Sequence, residues 1–595
     1  MLDFKKKLFK IMNKIKSIIT ILFASVTVLS CTDLHESLYS EVDRNSFYNN
    51  KNEVTAAVLR SYEHAATFYR SNDLFFLEEL TADQFVISQK GQHWYDQGRY
   101  IRLHRHEWTS EEPAIYNTWR SAWIGISLCN TLLEELSDLD YSEIPGGLTP
   151  EDQQRHLAEM RVLRATYYYH LVSLWGTVPI SEVAYGTPPD PSSRVEVINW
   201  VVEDLEEASE YLPMQSYIEA PGRLNQAAAK HLLARFYLNS ERWTGESKYD
   251  EVERISLNLI EGVYGNYELD DTFYGPFVHN NGENSTEIIF GFPRSKTFTA
   301  GNLFSNFYHP QSRRTFGTDA VGPNGVHLQP SRKPPVAGEH YTPRESQPNF
   351  RPEEDYDPIS LELYQWEPGI GNPYELFHDD DLRKKNFNFE GDIGIENKNF
   401  DTVVGMFLHG AQESTNTITG ETAIGANEYS DYTLVYVDFV ARASQGQSSS
   451  STPEGEEISG VRLVKYPVYP SSFEGDMNSD YVEYRLAEVY YMLAESLIRQ
   501  GKPGAADYIN LVKQRNFESY SSHAYTDSEL DLDVMLSEWG REFLGEKRRR
   551  TDLIRFGKFN SEWWDKEVSS EHRQLFPYPA KVLSSNPNLE QNEGY

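Results

Sequence analysis

The apolar side chains of residues 157–179 recur every three or four positions, which is the period of an α-helix. They form two stripes on different sides of that helix: Met160, Leu163, Tyr167, Leu171 and Leu174 make the first, and Val162, Ala165, Tyr169 and Val172 make the second. A helix that is apolar on two sides needs neighbours on both, so this helix is predicted to be central. Thr149 and Pro150 suit its start, and Gly176 and Pro179 suit its end.

Similar periods predict further helices at residues 51–70, 114–136, 195–212 and 225–240, and again from residue 480 onward. In three helices an alanine precedes a tyrosine by about one turn, which places Ala165 before Tyr168, Ala234 before Tyr237 and Ala487 before Tyr490. A small residue beside a large aromatic one lets two helices approach closely. This spacing is typical of tetratricopeptide-type helix pairs, although the sequence keeps no strict repeat period.

Residues 262–476 break the helical pattern and hold much of the Gly, Pro, Asn and Ser. Strand-like runs occur at residues 287–292, 433–439 and 461–465, and the low-complexity stretch 444–457 predicts a mobile loop. We interpret this region as a large loop-rich insertion, containing short strands, that lies on the helical scaffold. The predicted fold class is therefore mainly α, and loops held by a rigid scaffold are a common place for binding sites.

The first 30 residues are typical of a targeting segment. Six lysines precede an apolar run at residues 18–29, and this run is short for a membrane span. The run leads into Ser30 and Cys31, a pattern typical of a bacterial lipoprotein signal. We predict a signal peptide over 1–30, lipid attachment at Cys31, a tether over 31–50 and a single domain over 51–595. A lipidated Cys31 leaves Cys129 without an intramolecular disulfide partner. Because Cys129 lies in an apolar helix pattern, it is predicted to be a packed side chain.

Charge and motifs narrow the classes of function. A formal net charge of −35 argues against nucleic acid as a partner. The sequence contains no nucleophile elbow, Walker loop, Cys-x-x-Cys or zinc-protease motif, so we expect no catalysis and no cofactor. We also expect no bound metal: His104 and His106 are interpreted as surface residues, and the acidic run at residues 379–381 as a solvated turn.

A family signature is present in the central helix, at Ala158, Glu159, Arg161, Arg164, Ala165, Tyr167, Tyr168, Leu171, Gly176, Val178 and Pro179. Further matching patterns follow in order at residues 484–495, 509–515, 542–555 and 576–595. In these stretches the chain resembles the SusD/RagB family of outer-membrane nutrient-binding lipoproteins. The resemblance implies a tetratricopeptide-like scaffold and display on the cell surface. It also implies a partner, a SusC-like TonB-dependent outer-membrane barrel that receives a captured glycan.

The ligand candidates lie mainly in a polar, aromatic segment at residues 83–100. Aromatic rings bind the apolar faces of sugars, and carboxylates and guanidinium groups bind their hydroxyl edges. The family resemblance implies glycan binding by this early loop together with the insertion. The predicted carbohydrate-binding residues are Asp83, Trp94, Tyr95, Asp96, Arg99, Tyr308 and Trp366.

Alternatives to this interpretation exist for one residue and for the whole protein. For Trp94 the alternative is a role as an anchor in the core. For the protein, the alternatives are a peptide-capturing RagB-like protein and a glycoside hydrolase. A hydrolase needs two carboxyl groups at a fixed separation, and a sequence cannot show that separation.

Overall fold

A computed structural model describes residues 47–184, 186, 189–294, 325–336, 361–389, 403–411, 413–416, 421–424, 435–443, 447–467 and 479–595. The predicted signal peptide, Cys31, most of the predicted tether and Tyr308 lie outside these residues. Within them, no helix combines the length and the apolar character that crossing a lipid bilayer requires.

The helices of the described residues are α1 (Lys51–Tyr69), α2 (Asn72–Phe75), α3 (Arg99–His104), α4 (Pro113–Ser137), α5 (Pro150–Leu174), α6 (Arg194–Ser209), α7 (Gln226–Thr244), α8 (Tyr249–Ile260), α9 (Asn281–Asn284), α10 (Leu486–Gln500), α11 (Ala505–Lys513), α12 (Leu532–Glu542), α13 (Arg549–Arg555) and α14 (Ala580–Ser585). A π-helical turn, Phe76–Leu80, follows α2 directly. The helices predicted over residues 51–70, 114–136, 195–212 and 225–240 are confirmed as α1, α4, α6 and α7.

The predicted central helix is α5. Thr149 caps its start, because Thr149 Oγ1 accepts a hydrogen bond from the Asp152 N–H at 3.2 Å while Asp152 Oδ2 accepts one from the Thr149 N–H at 3.1 Å. Almost every side chain in its C-terminal part is buried, as its two apolar stripes predict. Helix α4 approaches so closely that a Cβ on Gly125 would lie 2.1 Å from the Tyr167 ring, so glycine is required there.

Successive helices pack side by side. Helix α4 lies against α1 and α5, α6 lies against α5 and α7, and α8 lies against α7 and α10. The molecule is therefore mainly α, with a tetratricopeptide-like scaffold, as predicted. Cys129 of α4 is buried in the core of this stack, and burial raises the pKa of its thiol to about 12. The prediction that Cys129 is a packed side chain is confirmed.

The strands of the described residues are β1 (Phe85–Val86), β2 (Val178–Pro179), β3 (Pro191–Ser192), β4 (Ile288–Phe292), β5 (His327–Leu328), β6 (Asn388–Phe389), β7 (Val403–Val404), β8 (Phe407–Leu408), β9 (Gly410–Ala411), β10 (Glu413–Asn416), β11 (Glu421–Ile424), β12 (Val435–Tyr436), β13 (Arg462–Leu463) and β14 (Tyr481–Arg485). They form antiparallel pairs: β1 with β5, β2 with β3, β4 with β14, β6 with β7, β8 with β13, β9 with β12 and β10 with β11. The strand-like runs predicted at residues 287–292, 433–439 and 461–465 contain β4, β12 and β13, and the last two strands are only two residues long.

Some local predictions are wrong. Residues from 480 do not start a helix, because Tyr481–Arg485 is strand β14 and α10 begins only at Leu486. Tyrosine and valine suit a strand as well as a helix, and pairing with β4 decides between them. The sequence does not predict helix α3, because its segment lacks a helical period. The predicted mobile loop is packed where it is described, since Thr452 is buried and its N–H donates to Asp565 Oδ2 at 2.6 Å.

Buried ion pairs join the insertion to the helical scaffold. Arg383 of the insertion places Nη1 2.8 Å from Oε2 of Glu542, the last residue of α12. Glu542 also binds Arg485 at 2.8 Å and Arg515 at 3.0 Å. Burial opposes ionisation of Glu542, but the three guanidinium groups outweigh it and hold the pKa of its carboxyl far below the usual range. The base of the insertion is thereby fixed to the rigid part of the molecule.

Candidate functional site

The candidate site is the loop of residues 89–98 between β1 and α3, called the aromatic loop below. The Gln89 N–H donates to the Thr452 carbonyl at 2.8 Å, which joins the loop to the insertion. Lys90 and His93 exchange two backbone hydrogen bonds of 3.0 Å. The two hydrogen bonds between Lys90 and His93 close this first half of the loop into a tight turn.

Backbone strain is concentrated in this loop. Trp94, Asp96 and Gln97 have φ angles of 62°, 40° and 57°, in the left-handed region that residues other than glycine seldom adopt. Each such residue costs on the order of 1–3 kcal/mol, and it persists only where the surrounding contacts hold it in place. Strain of this kind clusters at ligand-binding and active sites, so it marks the aromatic loop as a candidate functional site.

A buried lysine supports the loop. Lys90 Nζ donates a hydrogen bond to the Gly325 carbonyl at 3.1 Å. Burial lowers the pKa of Lys90 well below its ordinary value, and the nearby charge of Arg462 lowers it further. The side chain nevertheless has a polar partner, and through it the loop is tied to the segment that begins at residue 325.

The two neighbouring aromatic rings of the loop have different surroundings. Trp94 is half-buried: a Cβ added to Gly325 would lie 2.5 Å from its ring, and its ring centroid is 6.0 Å from that of Tyr100. Tyr95 is 51% exposed. Trp94 therefore contributes to packing as well as to the loop surface, whereas Tyr95 offers an accessible ring to a ligand.

Asp83 lies in the core and not at the loop surface. Its carboxylate is fully buried and contacts Arg549 twice, with Oδ1 2.7 Å from Nε and Oδ2 2.8 Å from Nη2. The Gly371 N–H also donates to Asp83 Oδ2 at 2.8 Å. Because these partners use both oxygens and no surface is open to solvent, we leave Asp83 out of the proposed ligand site.

Arg99 faces protein groups, whereas Asp96 faces solvent. Arg99 Nη2 lies 3.3 Å from Asp73 Oδ1, and its guanidinium lies 5.4 Å and 5.3 Å from the ring centroids of Phe76 and Tyr100. Burial raises the pKa of Tyr100 to about 12, and the Asp96 carboxylate adds to this shift while Arg99 opposes it. Asp96 is exposed, so its carboxylate is the accessible acidic group of the aromatic loop.

Trp366 contacts neighbouring residues of the insertion. Its ring stacks on Tyr364 with a centroid distance of 5.6 Å and an interplanar angle of 19°, and its Nε1 donates to Asn372 Oδ1 at 3.2 Å. Among the residues that the structure describes, it makes no ring contact with the aromatic loop. Trp94, Tyr95 and Asp96 are consecutive residues of the aromatic loop, whereas Trp366 belongs to the insertion.

The two histidines after the loop are not surface residues, so that expectation is wrong. His104 and His106 are both buried. His104 Nε2 donates to the Trp564 carbonyl at 2.7 Å, and His106 Nε2 donates to the Thr81 carbonyl at 2.8 Å. Burial lowers the pKa of His104 to about 4, despite the Asp565 carboxylate nearby. Both rings serve as neutral packing groups that join α3 to its neighbours.

A cleft of about 380 Å³ between α4, β2 and α14 is a further candidate site that the sequence did not predict. Its apolar lining includes Trp119, Trp123, Ile126, Pro179, Val183 and Val582. The Trp123 Nε1–H is buried and has no hydrogen-bond partner within the described residues. Trp119 and Trp123, one helical turn apart, are the signal that the sequence offers for this cleft.

Two protein-family models match this chain. A family model described as "Starch-binding associating with outer membrane" matches residues 34–238, and a model described as "SusD family" matches residues 362–569. Together the two models match most of the chain. The chain belongs to the SusD family. The two matches confirm the family resemblance that the helical signatures of the sequence indicate.

Relatives match this SusD-family protein over nearly its whole length. The starch-binding protein SusD of Bacteroides thetaiotaomicron is 26% identical to it over 551 residues, which are 90% of this chain and 87% of the relative. SusD-like protein P25 of Formosa agariphila is 22% identical over 98% of this chain and 100% of its own length.

Solved structures of SusD-like proteins share the fold. The structure titled "B. fragilis NanU" has a TM-score of 0.61 at 19% identity and covers 94% of this chain and 99% of its own. Surface glycan-binding protein A from Bacteroides fluxus has a TM-score of 0.57 at 17% identity and covers 92% and 100%. At these identities the likeness establishes the architecture alone.

Proposed function

We propose that this SusD-family protein captures an oligosaccharide or polysaccharide at the cell surface and delivers it to a SusC-like TonB-dependent transporter. The observation that carries the proposal is the aromatic loop, whose strained backbone holds Tyr95 exposed beside Trp94 and Asp96. An exposed ring binds the apolar face of a sugar, and a carboxylate accepts hydrogen bonds from its hydroxyl edge.

The names of similar proteins support the same proposal. One relative is called a starch-binding protein, and one structure with the same fold is called a surface glycan-binding protein. The net charge of −35 also suits a neutral ligand better than a polyanion, because a polyanion would be repelled. On this basis a glycan is the ligand class that we assign.

The proposal includes a lipid anchor at Cys31 in the outer membrane. Cys31 follows an apolar run and Ser30, as lipoprotein signals require, and the description of one matching family model names association with the outer membrane. Several acyl chains on one cysteine bind a bilayer far more stably than a single chain does. The tether of residues 31–50 then leads from the lipid to α1.

The proposed function is binding without catalysis, and one experiment separates it from the alternatives. The purified protein is applied to a glycan array and to a peptide library, and each bound glycan is analysed for cleavage products. We expect glycan binding with no product. Product release would instead indicate a glycoside hydrolase, and binding of peptides alone would indicate a RagB-like peptide-capturing protein.

Delivery to a transporter is tested separately. After extraction of membranes with a mild detergent, the protein should co-purify with a large β-barrel protein. If it is repeatedly recovered alone, the delivery step is wrong while glycan capture is unaffected. The two parts of the proposal can therefore fail independently.

A further inference from the structure

Two histidines and one aspartate from distant parts of the chain meet at the surface. His378 and Asp380 belong to the insertion, and His523 lies in the connection between α11 and α12. Asp380 Oδ2 lies 3.8 Å from His378 Nδ1 and 3.6 Å from His523 Nε2. One ligand atom from each of the three residues lies within 4.8 Å of the others.

Packing contacts hold the His523 ring and the backbone on both sides of the cluster. The His523 ring stacks on Phe517 with a centroid distance of 4.1 Å, and the His523 carbonyl accepts a hydrogen bond from Lys513 Nζ at 2.9 Å. On the insertion side, the residue after Asp380 is Asp381, whose buried carboxylate binds Arg383 at 2.7 Å. The backbone on each side of the cluster is therefore anchored in the core.

The separations fit a bound metal ion. Around tetrahedral Zn²⁺, ligand bonds of about 2.0–2.2 Å place neighbouring ligand atoms about 3.3–3.6 Å apart. The 3.6 Å distance from His523 Nε2 to Asp380 Oδ2 lies at the upper end of this range. The 3.8 Å distance from His378 Nδ1 exceeds it slightly, and the ligand atoms of the two histidines lie within 4.8 Å of each other. Rotation of the exposed His378 and Asp380 side chains can close these gaps. If His378 binds through Nδ1, it gives up only the long hydrogen bond of 3.2 Å that it accepts from the Asp380 N–H.

The charge around the cluster also favours a cation. The Asp380 carboxylate is 73% exposed, and within the described residues no lysine or arginine pairs with it. The neighbouring cations are used elsewhere: Lys384 binds Asp379 at 2.7 Å, and Arg541 binds Glu538 at 2.6 Å. A cleft of about 680 Å³ adjoins the three side chains and leaves room for further ligands.

We propose that His378, Asp380 and His523 form a binding site for a divalent transition-metal ion, with Zn²⁺ as the ion that fits best. Two imidazole nitrogens and one carboxylate oxygen suit Zn²⁺, whereas Ca²⁺ prefers six to eight oxygen ligands. The remaining coordination position faces the cleft and is filled by water or by an oxygen of a ligand. The ion links the insertion to the α11–α12 connection, so it braces the insertion against the scaffold. This site goes beyond the proposed glycan capture and does not depend on it.

The test is calorimetric titration of ZnCl₂ into the purified protein, prepared with a histidine-free tag in metal-free buffer. We expect saturable binding of one ion and a rise in melting temperature, because the ion binds only the folded state. His523→Gln, His378→Gln and Asp380→Asn should each weaken binding at least tenfold and abolish the rise. Their melting temperatures in EDTA should equal that of the unmodified protein.

Matched controls use residues of the same types outside the cluster. Asp138→Asn removes an exposed carboxylate at the end of α4, and His572→Gln removes a histidine of the C-terminal region; both variants should bind Zn²⁺ as the unmodified protein does. The proposal is overturned if the unmodified protein shows no saturable Zn²⁺ binding, or if the variants of the three ligand residues retain it. If His523→Gln fails to fold, His378→Gln decides, because that side chain is 59% exposed.

Discussion

Asp83 and Arg549 form a buried bidentate ion pair although 466 positions separate them in the chain. The pair joins the segment just before β1 to the start of α13, and the same guanidinium donates to the Gly369 carbonyl at 2.8 Å. Three distant parts of the chain therefore meet at one carboxylate. This junction lies beneath the strand that leads into the aromatic loop and holds that strand in place.

Removing the charge of Asp83 should destabilise the whole fold. Asp83→Asn leaves the Arg549 guanidinium buried without a counter-charge, and breaking a buried pair in this way costs about 3–5 kcal/mol. The free energy of unfolding, measured by urea titration, checks this prediction. Glu63→Gln is the matched control, because the Arg60–Glu63 pair is exposed and should contribute less than about 1 kcal/mol. A loss as small as that of the control would contradict the role of the junction.

Glu79 should make stability fall as the pH rises. Burial raises the pKa of Glu79 to about 8, against a hydrogen bond of 3.2 Å from the Arg548 N–H, whereas an unfolded glutamate titrates near about 4.3. Between about pH 4.3 and about pH 8 the folded protein keeps the Glu79 proton while the unfolded chain has lost it. The stabilisation by this protonated carboxyl is therefore complete below about pH 4.3 and is lost as the pH rises toward about 8. Glu79→Gln removes this loss.

The measurement for Glu79 compares unfolding free energies at pH 5 and pH 8. Relative to the unmodified protein, Glu79→Gln should gain up to about 4 kcal/mol between the two pH values, from the conversion of the pKa shift into free energy. The difference between the two proteins is used because other groups also titrate in this interval. Parallel curves for variant and unmodified protein would show that Glu79 does not titrate as described.

Tyr95 should contribute to binding and not to folding. Because its ring is 51% exposed, Tyr95→Ala should weaken glycan binding about tenfold or more while changing the unfolding free energy by less than about 0.5 kcal/mol. Tyr211→Ala is the control, since Tyr211 is similarly exposed, at 47%, and lies just beyond the end of α6. Equal affinities for the two variants would remove Tyr95 from the site.

Trp94 should contribute to both properties. A fully buried tryptophan costs roughly 3–5 kcal/mol when it is replaced by alanine, so the half-buried Trp94 should cost about 2 kcal/mol. We also expect Trp94→Ala to lose glycan binding, because the ring adjoins Tyr95 and holds the strained loop. Melting temperature and affinity are measured on the same variant. A large loss of stability with full affinity would make Trp94 a core anchor alone.

Cys31→Ala should abolish the lipid anchor. Without the thiol, no diacylglycerol can be attached, and the protein should be lost from the outer membrane. Metabolic labelling with a fatty-acid analogue, followed by membrane fractionation, checks this prediction, and Cys129→Ala is the control that should keep its label. Label retained by Cys31→Ala would show that another residue carries the lipid.

Much of the candidate site could not be predicted from the sequence. The polar segment at residues 83–100 predicts the same ligand-binding role for Asp83 and for Tyr95. Only the structure separates them, because the partner of Asp83 lies on α13, at the other end of the chain. The cluster of His378, Asp380 and His523 could not be predicted either, since His523 is far from the other two residues in the sequence.

The sequence by itself determined the helical scaffold. The apolar period and the Thr149–Asp152 cap of α5 act within a few residues, so they are readable in one stretch of chain. Tertiary structure alone decided that residues 481–485 form a strand, that Asp83 is buried and that Tyr95 is exposed. Each of these outcomes depends on which distant surface the chain meets, and a contact between residues hundreds of positions apart leaves no periodic trace in the sequence.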